Sequence, residues 1–506
     1  MRARGCVSLK SFKDPVHGYC DVCNSVARVV DTPLFQRLRW IRQTGFAYLV
    51  YHGMEHSRFN HSLGVAHLAR EVLGFLAGNT GLYNRGASGE ELAGLLARAV
   101  EVFQLAALIH DLGHLPFSHA SEAGVAEASR LFSVREFQRL PLRHEAYTYS
   151  LIPSVAAVAE EAGVEPFFSR SLVGDLRLVL QGPGDDWRGD LSPLCATNIL
   201  NKLLSGGLDV DRMDYLLRDS IYAGVRYGVF DVDRLSRVLL AIPLRAGSDG
   251  GLDMANSCTV AVLDKGLSVV ESFLLARFYM FSEVYLHRVV EAYNSLYARL
   301  LGVLARDGVA TILDGGGELR IPLPAQLEEG DSDALREWLQ LDDTAVTALL
   351  RRVAAGRTRA RGEARELAER LLSRSHPRVY RVVEDKQLWA SYIAFLSGGS
   401  VSSGLRSVFD ELLEMQRENP MLIIRPLRVD LVNLSGLMVY DRRRGETRSL
   451  GDIDSRGDTS RLRKLAELGL YRIAVFAPRK LESLADKAAT LLEEARRELR
   501  REEEEA

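Results

Sequence analysis

A chain of 506 residues with 47% apolar side chains has the make-up of a globular protein of two or three domains. Its 64 basic and 67 acidic side chains leave a net charge of -3, which excludes the one-sided charge of a general nucleic-acid or membrane-surface binder. No stretch has the form of a cleavable leader or the roughly 18 apolar residues of a membrane span, so a cytoplasmic protein is expected. Five dispersed cysteines argue against a disulfide framework, and the single Cys20-x-x-Cys23 lacks a second pair to complete a zinc site.

From the N-terminus to about residue 300 the chain reads as successive helices, with little of the alternation that marks half-buried strands. Thr32-Pro33 reads as a helix start, continued by PLFQRLRWIRQ with apolar residues at helical spacing. Helices follow at VAHLAREVLGFLA, VFQLAALIHDLG and around DRMDYLLRD, and then one long aromatic helix through VVESFLLARFYMFSEVYLHRVVEAYNSLYARLL. Clusters of Gly and Asp at 182–190 and 247–251 predict exposed turns, with a short hairpin after the second. From about 305 to 390, sequence such as RRVAAGRTRARGEARELAERLL predicts solvated helix faces rather than a nucleic-acid arm. Beyond about 420, LIIRPLRVDLVNL and YRIAVFAP read as strands, and the chain closes with a helix ending in RREEEEA. The expected fold is therefore mainly α: an all-helical core over 1–305, a charged helical extension over 306–420, and a small α+β lobe over 421–506.

Eight of the eleven histidines lie between residues 52 and 144, a concentration that points to chemistry or metal binding. In the helix beginning near Asn60, Val65, Leu68, Ala69, Val72 and Leu76 form one apolar stripe, and His61 extends it inward. His67 falls between Arg70 and Glu71 on the opposite face of that helix and reads as solvent-facing. The helix from Val102 to Ile109 is apolar on nearly every side, so His110 and Asp111 at its end are buried, and a buried carboxylate needs a cation or donors to offset its lost hydration. Asp211 in DVDRMDY offers a fourth ligand, on a helix where Asp211, Tyr215, Arg218 and Asp219 share a face. Two imidazoles and two carboxylates leave open positions on an octahedral ion, suiting Mn, Fe, Co or Mg better than a closed structural zinc site. An open site of this kind is a catalytic site.

The pattern His61…His110-Asp111…Asp211 resembles the HD-domain metal-dependent phosphohydrolases. The longer wording SRFNHSLG, HDLGHLPFSH, RHEA and DVDRMDYLLRD is similar to their deoxynucleoside triphosphate triphosphohydrolase branch. The resemblance implies an HD-domain core, with His61, His110, Asp111 and Asp211 as metal ligands and His114, His119, Glu122 and His144 around the α-phosphate. His114 is expected one turn after His110 on the same helix face, with Pro116 turning the chain so that His119 approaches from another side. It further implies phosphate contacts from Arg58, Arg212 and Arg277, a sugar held by Gln43 and Asp219 beside Tyr215, and Tyr285 crowding C2′. A guanine-nucleotide activator, GTP or dGTP, would meet Lys10, Asp31, Gln36, Arg39 and Arg234, while Lys13 departs from the pattern of a second regulatory nucleotide.

The implied reaction converts a dNTP to a deoxynucleoside and inorganic triphosphate in a homo-oligomer, a dimer or tetramer, with no membrane partner. Single-stranded nucleic acid is a possible ligand that no residue pattern indicates. The alternatives on the same residues are an HD phosphodiesterase or nucleotidase acting on another phosphoester, and a nucleotide sensor or nucleic-acid binder that retains the fold.

Overall fold

The computed structural model describes residues 6, 8–83, 87–183, 191–243, 258–430, 437–449 and 469–505. Among the described residues, strands precede the first helix. Strands β1 (Leu9–Asp14) and β2 (Gly18–Cys23) form an antiparallel hairpin ahead of the first helix, Asn24–Val30. Its turn is set by Asp14, whose Oδ1 accepts the amides of Val16 and His17 at 2.9 and 3.0 Å, and by Gly18 at φ 73°. The hairpin is an addition to the all-helical core expected for this region.

Thr32 caps and Pro33 opens a helix as expected, but that helix is a single turn, Pro33–Gln36, followed by a 3-10 turn over Arg37–Trp40. Tertiary contacts end it. The buried Arg37 guanidinium donates to the carbonyls of Leu341 and His114, and the extended backbone at Ile41 leads Arg42 into a bridge with Ser57. The central helix, Arg58–Tyr83, is buried on nearly every side to Ala77 and packs on the helices Val100–Ile109 and Val210–Ala223. That burial places whatever polar groups it carries at the heart of the molecule.

Strands β3 (Leu239–Pro243) and β4 (Cys258–Leu263) pair antiparallel, and β4 continues in parallel to β9 (Met438–Asp441), which pairs with β10 (Glu446–Ser449). The expected hairpin segment after 251 lies outside the described residues up to 257, as does most of the turn at 182–190. The long aromatic run divides into helices Leu267–Tyr279 and Arg288–Arg306 around a π-helical turn, Met280–Tyr285. The helix restarts where His287 caps the amide of Val289.

In the charged extension, the helix Gly362–Leu372 buries Ala364, Leu367, Ala368 and Leu371 and pairs Arg365 with Glu369 and Arg370 with Glu366 outside, a solvated face as expected. Short parallel strands β5 (Ala310–Ile312) and β6 (Leu319–Ile321) lie ahead of it. The C-terminal lobe is built on the sheet β7 (Val379–Glu384), β11 (Gly469–Ala477) and β8 (Ile423–Asp430), so it takes one strand from before residue 421 and lends β9 and β10 to the core sheet. The sheet alternates cleanly: Ile423, Leu427, Ala474 and Phe476 join the main core, while Ile424, Ile473, Val475 and Ala477 face a second core with the helices Lys386–Leu396, Ser403–Glu418 and Glu482–Glu505. Among the described residues no single helix is long and apolar enough to cross a membrane. Against the expectation from cysteine count, Cys6 pairs with Cys23 and Cys195 with Cys258, leaving Cys20 free and buried. Sequence could not foresee this, because each pair joins segments that only the fold brings together.

Candidate active site

His61 enters from the first turn of Arg58–Tyr83, His110 caps the C-terminus of Val100–Ile109 with Asp111 beside it, and Asp211 occupies the first turn of Val210–Ala223. The three helix ends converge. His61 Nε2 lies 3.0 Å from Asp211 Oδ1 and 3.6 Å from Asp111 Oδ2, and His110 Nε2 lies 3.4 Å from Asp111 Oδ1 and 3.7 Å from Asp211 Oδ1. Both rings are held by their other nitrogen, His110 Nδ1 to the Ala107 carbonyl at 2.7 Å and His61 Nδ1 to Asp214 at 2.8 Å, so each turns Nε2 inward. His110 Nε2 is buried without a hydrogen-bond partner. Burial disfavours a charged His61, yet Asp211 and Asp214 outweigh it and lift the pKa to about 10. A centre that retains a proton so firmly is short of positive charge, and an orphaned Nε2 beside two carboxylates is the donor set a divalent cation requires.

The helix ends at Ile109, and tight turns (Leu112 N–H to Ile109 O, His114 N–H to Asp111 O) carry the chain onward. His114 therefore does not lie on a continuing helix face one turn after His110, as the spacing suggested; it arrives by a loop. Gly113 makes the close passage possible, because a Cβ there would fall 2.1 Å from the His144 carbonyl oxygen. Phe117 and Ser118 both take left-handed conformations, φ 57° and 55°, before the helix His119–Ala126 begins. Glu122 then accepts His119 Nδ1 at 2.8 Å and His144 Nδ1 at 2.9 Å, orienting two imidazoles at once. His114 stacks on His144 with ring centroids 3.6 Å apart, and its Nε2 lies 3.3 Å from Asp111 Oδ1. Burial, Arg58 and His144 hold His114 well below the usual imidazole range, so it is neutral. Burial would raise the Glu122 carboxyl, but His119 and His144 hold it well below its usual range. Burial acts likewise on Asp111, where Arg58 and the neighbouring histidines prevail.

These groups open onto a cavity of about 780 Å³ whose walls include Gln43, Arg58, Arg212, Tyr215, Asp219 and Tyr285. Arg58 is bound to Asp111 at 2.5 Å, Ser118 Oγ at 2.8 Å and the Gln43 carbonyl at 3.1 Å, while the Gln43 Oε1 and Thr44 Oγ1 atoms are buried without partners. Arg212 pairs with Asp209, and Asp219 holds His56 Nε2 at 2.6 Å and the Tyr285 hydroxyl at 2.5 Å. Arg277 stands behind the lining, its guanidinium 5.4 Å from the Phe281 ring and its Nε without a partner.

Further positions differ from the sequence reading or were missed by it. Arg218 does not share the cavity face with Asp211 and Tyr215; it is fully buried, paired with Asp214 and Asp14. Asp214, three residues after Asp211, is the carboxylate that orients His61, a role the local sequence does not signal. His67 is not a solvent-facing bystander: its Nδ1 accepts the Asp21 amide at 3.1 Å and its ring meets His17. The hairpin β1–β2, absent from a helix-only reading, covers that side.

The residues of the implied regulatory site lie apart from the cavity. Lys10 pairs with Asp31 at 3.1 Å, and both line a surface hollow of about 390 Å³. Gln36 joins the Val30 carbonyl to Arg39, Arg39 covers the Phe59 ring at 3.5 Å, and Arg234 donates to the Lys265 carbonyl.

Residues 58–160 match the model of the HD domain. The chain carries an HD domain. Its matched segment spans His61 through His144, and Asp211 joins the cluster from beyond it. The chain is 32% identical to YwfO, an uncharacterized protein of Bacillus subtilis, over 58% of its own length and 55% of that protein. It is 31% identical to the human deoxynucleoside triphosphate triphosphohydrolase SAMHD1 over 45% of its length and 35% of that protein. The chain thus spans about half the length, or less, of these curated relatives. A phosphohydrolase from Bacteroides thetaiotaomicron shares the fold, with a TM-score of 0.61 at 22% identity over 93% of this chain and 100% of that one.

Proposed function

We propose that this HD-domain protein hydrolyses deoxynucleoside triphosphates to the deoxynucleoside and inorganic triphosphate. One observation carries the reading: the inward-facing His61, His110, Asp111 and Asp211 abut, through the Asp111 carboxylate, a second cluster in which Glu122 orients His119 and His144. The similarity to the human triphosphohydrolase supports the substrate class. A divalent cation held by His61, His110, Asp111 and Asp211 would supply Lewis acidity at a phosphoryl oxygen and lower the pKa of water, with Mn, Fe, Co or Mg suiting the mixed N and O donors.

The remaining work belongs to side chains. His119, about two-thirds exposed at the cavity wall, is the group that gives its proton to the departing 5′-oxygen, and ionised Glu122 stabilises its charged form. Neutral His114 stacks on the His144 ring beside Asp111. Arg58 and Arg212 meet the triphosphate, with Arg277 adding its charge from behind them, and these guanidinium groups stabilise charge that develops as the P–O bond breaks. Tyr285, locked by its bond to Asp219, fills the space a 2′-hydroxyl would need, and the unpartnered Gln43 Oε1 receives the 3′-hydroxyl with Asp219, beside Tyr215. The cavity volume falls within the range for sites that enclose a small ligand. Lys10, Asp31, Gln36, Arg39 and Arg234 would take GTP or dGTP as an activator between subunits of a dimer or tetramer.

The test is to incubate Mn-loaded protein with each dNTP, alone and with GTP or dGTP, and to separate the products by ion exchange. Inorganic triphosphate in equal amount to deoxynucleoside is expected. Pyrophosphate with a nucleoside monophosphate, or no turnover of any dNTP under any activator, would overturn the reading. Activity without any response to GTP would remove the regulatory part alone.

A further inference from the structure

Asp214 gives His61 its orientation, but a carboxylate on a single-bonded stem swivels freely unless both oxygens are pinned. Here both are. Arg218 grips one edge, Nε to Oδ2 at 2.8 Å and Nη2 to Oδ1 at 2.9 Å. On the other side His17 Nε2 meets Oδ1 at 2.7 Å, and His61 Nδ1 meets Oδ2 at 2.8 Å. Asp214 and Arg218 are fully buried, and the His17 side chain is 6% exposed. Arg218 is shared between Asp214 and Asp14, and His17, 197 positions away in the chain, is brought in as a further partner of the same carboxylate.

The surroundings are built for that arrangement. Asp14 holds Arg218 Nη1 at 2.8 Å through Oδ2, and its Oδ1 fixes the amide of His17 itself. Gly64, one turn beyond His61 on the central helix, leaves the space the carboxylate occupies, since a Cβ there would lie 1.9 Å from Asp214 Oδ1. The hairpin turn, the helix carrying His61 and the helix carrying Asp211 are thus joined at one buried carboxylate.

We propose that His17 is a positioning residue of the metal centre, acting through Asp214 to fix the ring of His61. The inference rests on the reading of His61 as a metal ligand. Outer-shell partners of ligating histidines typically affect metal affinity by 10–100-fold, and one bond further out an effect near the lower limit, about tenfold, is expected. The N-terminal hairpin is then energetically linked to the metal, and the linkage is reciprocal.

The experiment is a Co²⁺ titration of the full chain against a chelator, recording the visible spectrum of the bound ion and its affinity. His17→Leu, which fills the ring's space without a donor, is expected to weaken Co²⁺ binding about tenfold and shift the absorption bands. His17→Gln, which restores one N–H toward Asp214, is expected to recover most of both. His67→Ala, whose ring touches His17 but makes no bond to Asp214, is expected to match wild type. Equal affinity and spectrum in wild type and His17→Leu would overturn the proposal, as would equal losses in all three variants, the mark of general loosening. In wild type, Co²⁺ is expected to slow amide exchange in the Asp14–Gly18 turn, a readout that does not depend on a variant folding; unchanged exchange there would also overturn it. A wild-type protein that binds no Co²⁺ would instead overturn the metal centre.

Discussion

Glu122 receives three nitrogens, His119 Nδ1, His144 Nδ1 and the His144 amide at 3.0 Å, and its charge decides which tautomer the two rings adopt. Glu122→Gln keeps the shape but replaces one acceptor oxygen by an N–H₂, which confronts an Nδ1–H unless a ring flips its proton to the cavity side. Turnover of dNTPs is expected to fall by about 10²–10⁴-fold with metal content and KM little changed, as when an orienting carboxylate is lost from a histidine elsewhere. Metal analysis alongside steady-state kinetics checks this, and a parallel loss of bound metal would assign Glu122 to the ligand set instead. His61, His110 and Asp111 stand out in the sequence because burial on apolar helices makes polar residues conspicuous, whereas Asp211, on the polar helix Val210–Ala223, stands out only through the DVDRMDY motif. Asp214 and His17 do not stand out, because their meaning lies in one hydrogen bond between segments remote in sequence, and no periodicity records that.

At the scale of elements, the strained turn at Phe117 and Ser118 is held from outside the HD domain. Asp343, at the start of the helix Asp343–Ala354, accepts the Phe117 amide at 2.7 Å and the Arg42 amide at 3.0 Å, fastening the turn that aims His119 to the strand-like segment beside Arg58. Sequence placed a bend at Pro116 correctly but read the segment around 343 as part of a solvated extension, since a buried Asp among charged residues looks like any surface Asp. Burial raises the Asp343 carboxyl to about 6 despite those amides. With the folded pKa above the unfolded value near 3.8, the folded state binds the proton more tightly. The associated stability is complete below the unfolded pKa and is lost as pH rises through about 6. Between pH 7.5 and 5.0 wild type is therefore expected to gain about 1–1.5 kcal/mol relative to Asp343→Asn, which cannot titrate. Denaturant midpoints of both proteins at the two pH values measure it, and a difference independent of pH would show that Asp343 keeps an ordinary pKa.

Across the whole molecule, the lobe built on β7, β11 and β8 is joined to the core by more than apolar contact. Arg299, fully buried on the helix Arg288–Arg306, sends Nη1 to the carbonyls of Pro420 and Leu422 at 2.8 and 2.7 Å, Nη2 to Gln416 Oε1 at 2.8 Å, and Nε to Glu127 at 2.5 Å. The same helix faces His119–Ala126 on its other side, where Leu301 closes on Gly124 so tightly that a Cβ there would fall 2.7 Å from its Cδ2. One helix therefore contacts both the element bearing His119 and Glu122 and the chain entering β8. Arg299→Leu removes a planar fork that no neighbour replaces and leaves buried carbonyls and Glu127 unpaired, a loss of about 3–5 kcal/mol. Arg299→Lys is expected to recover little, since one ammonium cannot span four acceptors set around a guanidinium plane. If the lobe is fastened chiefly at this point, amide exchange after Arg299→Leu should rise in β8 and in the helix Ser403–Glu418 while the helix Arg58–Tyr83 keeps its protection. Faster exchange everywhere would show that core and lobe unfold as one unit, and unchanged exchange in β8 would place the fastening in the apolar face of the sheet, with Ile423, Leu427 and Phe476 sufficient to hold it.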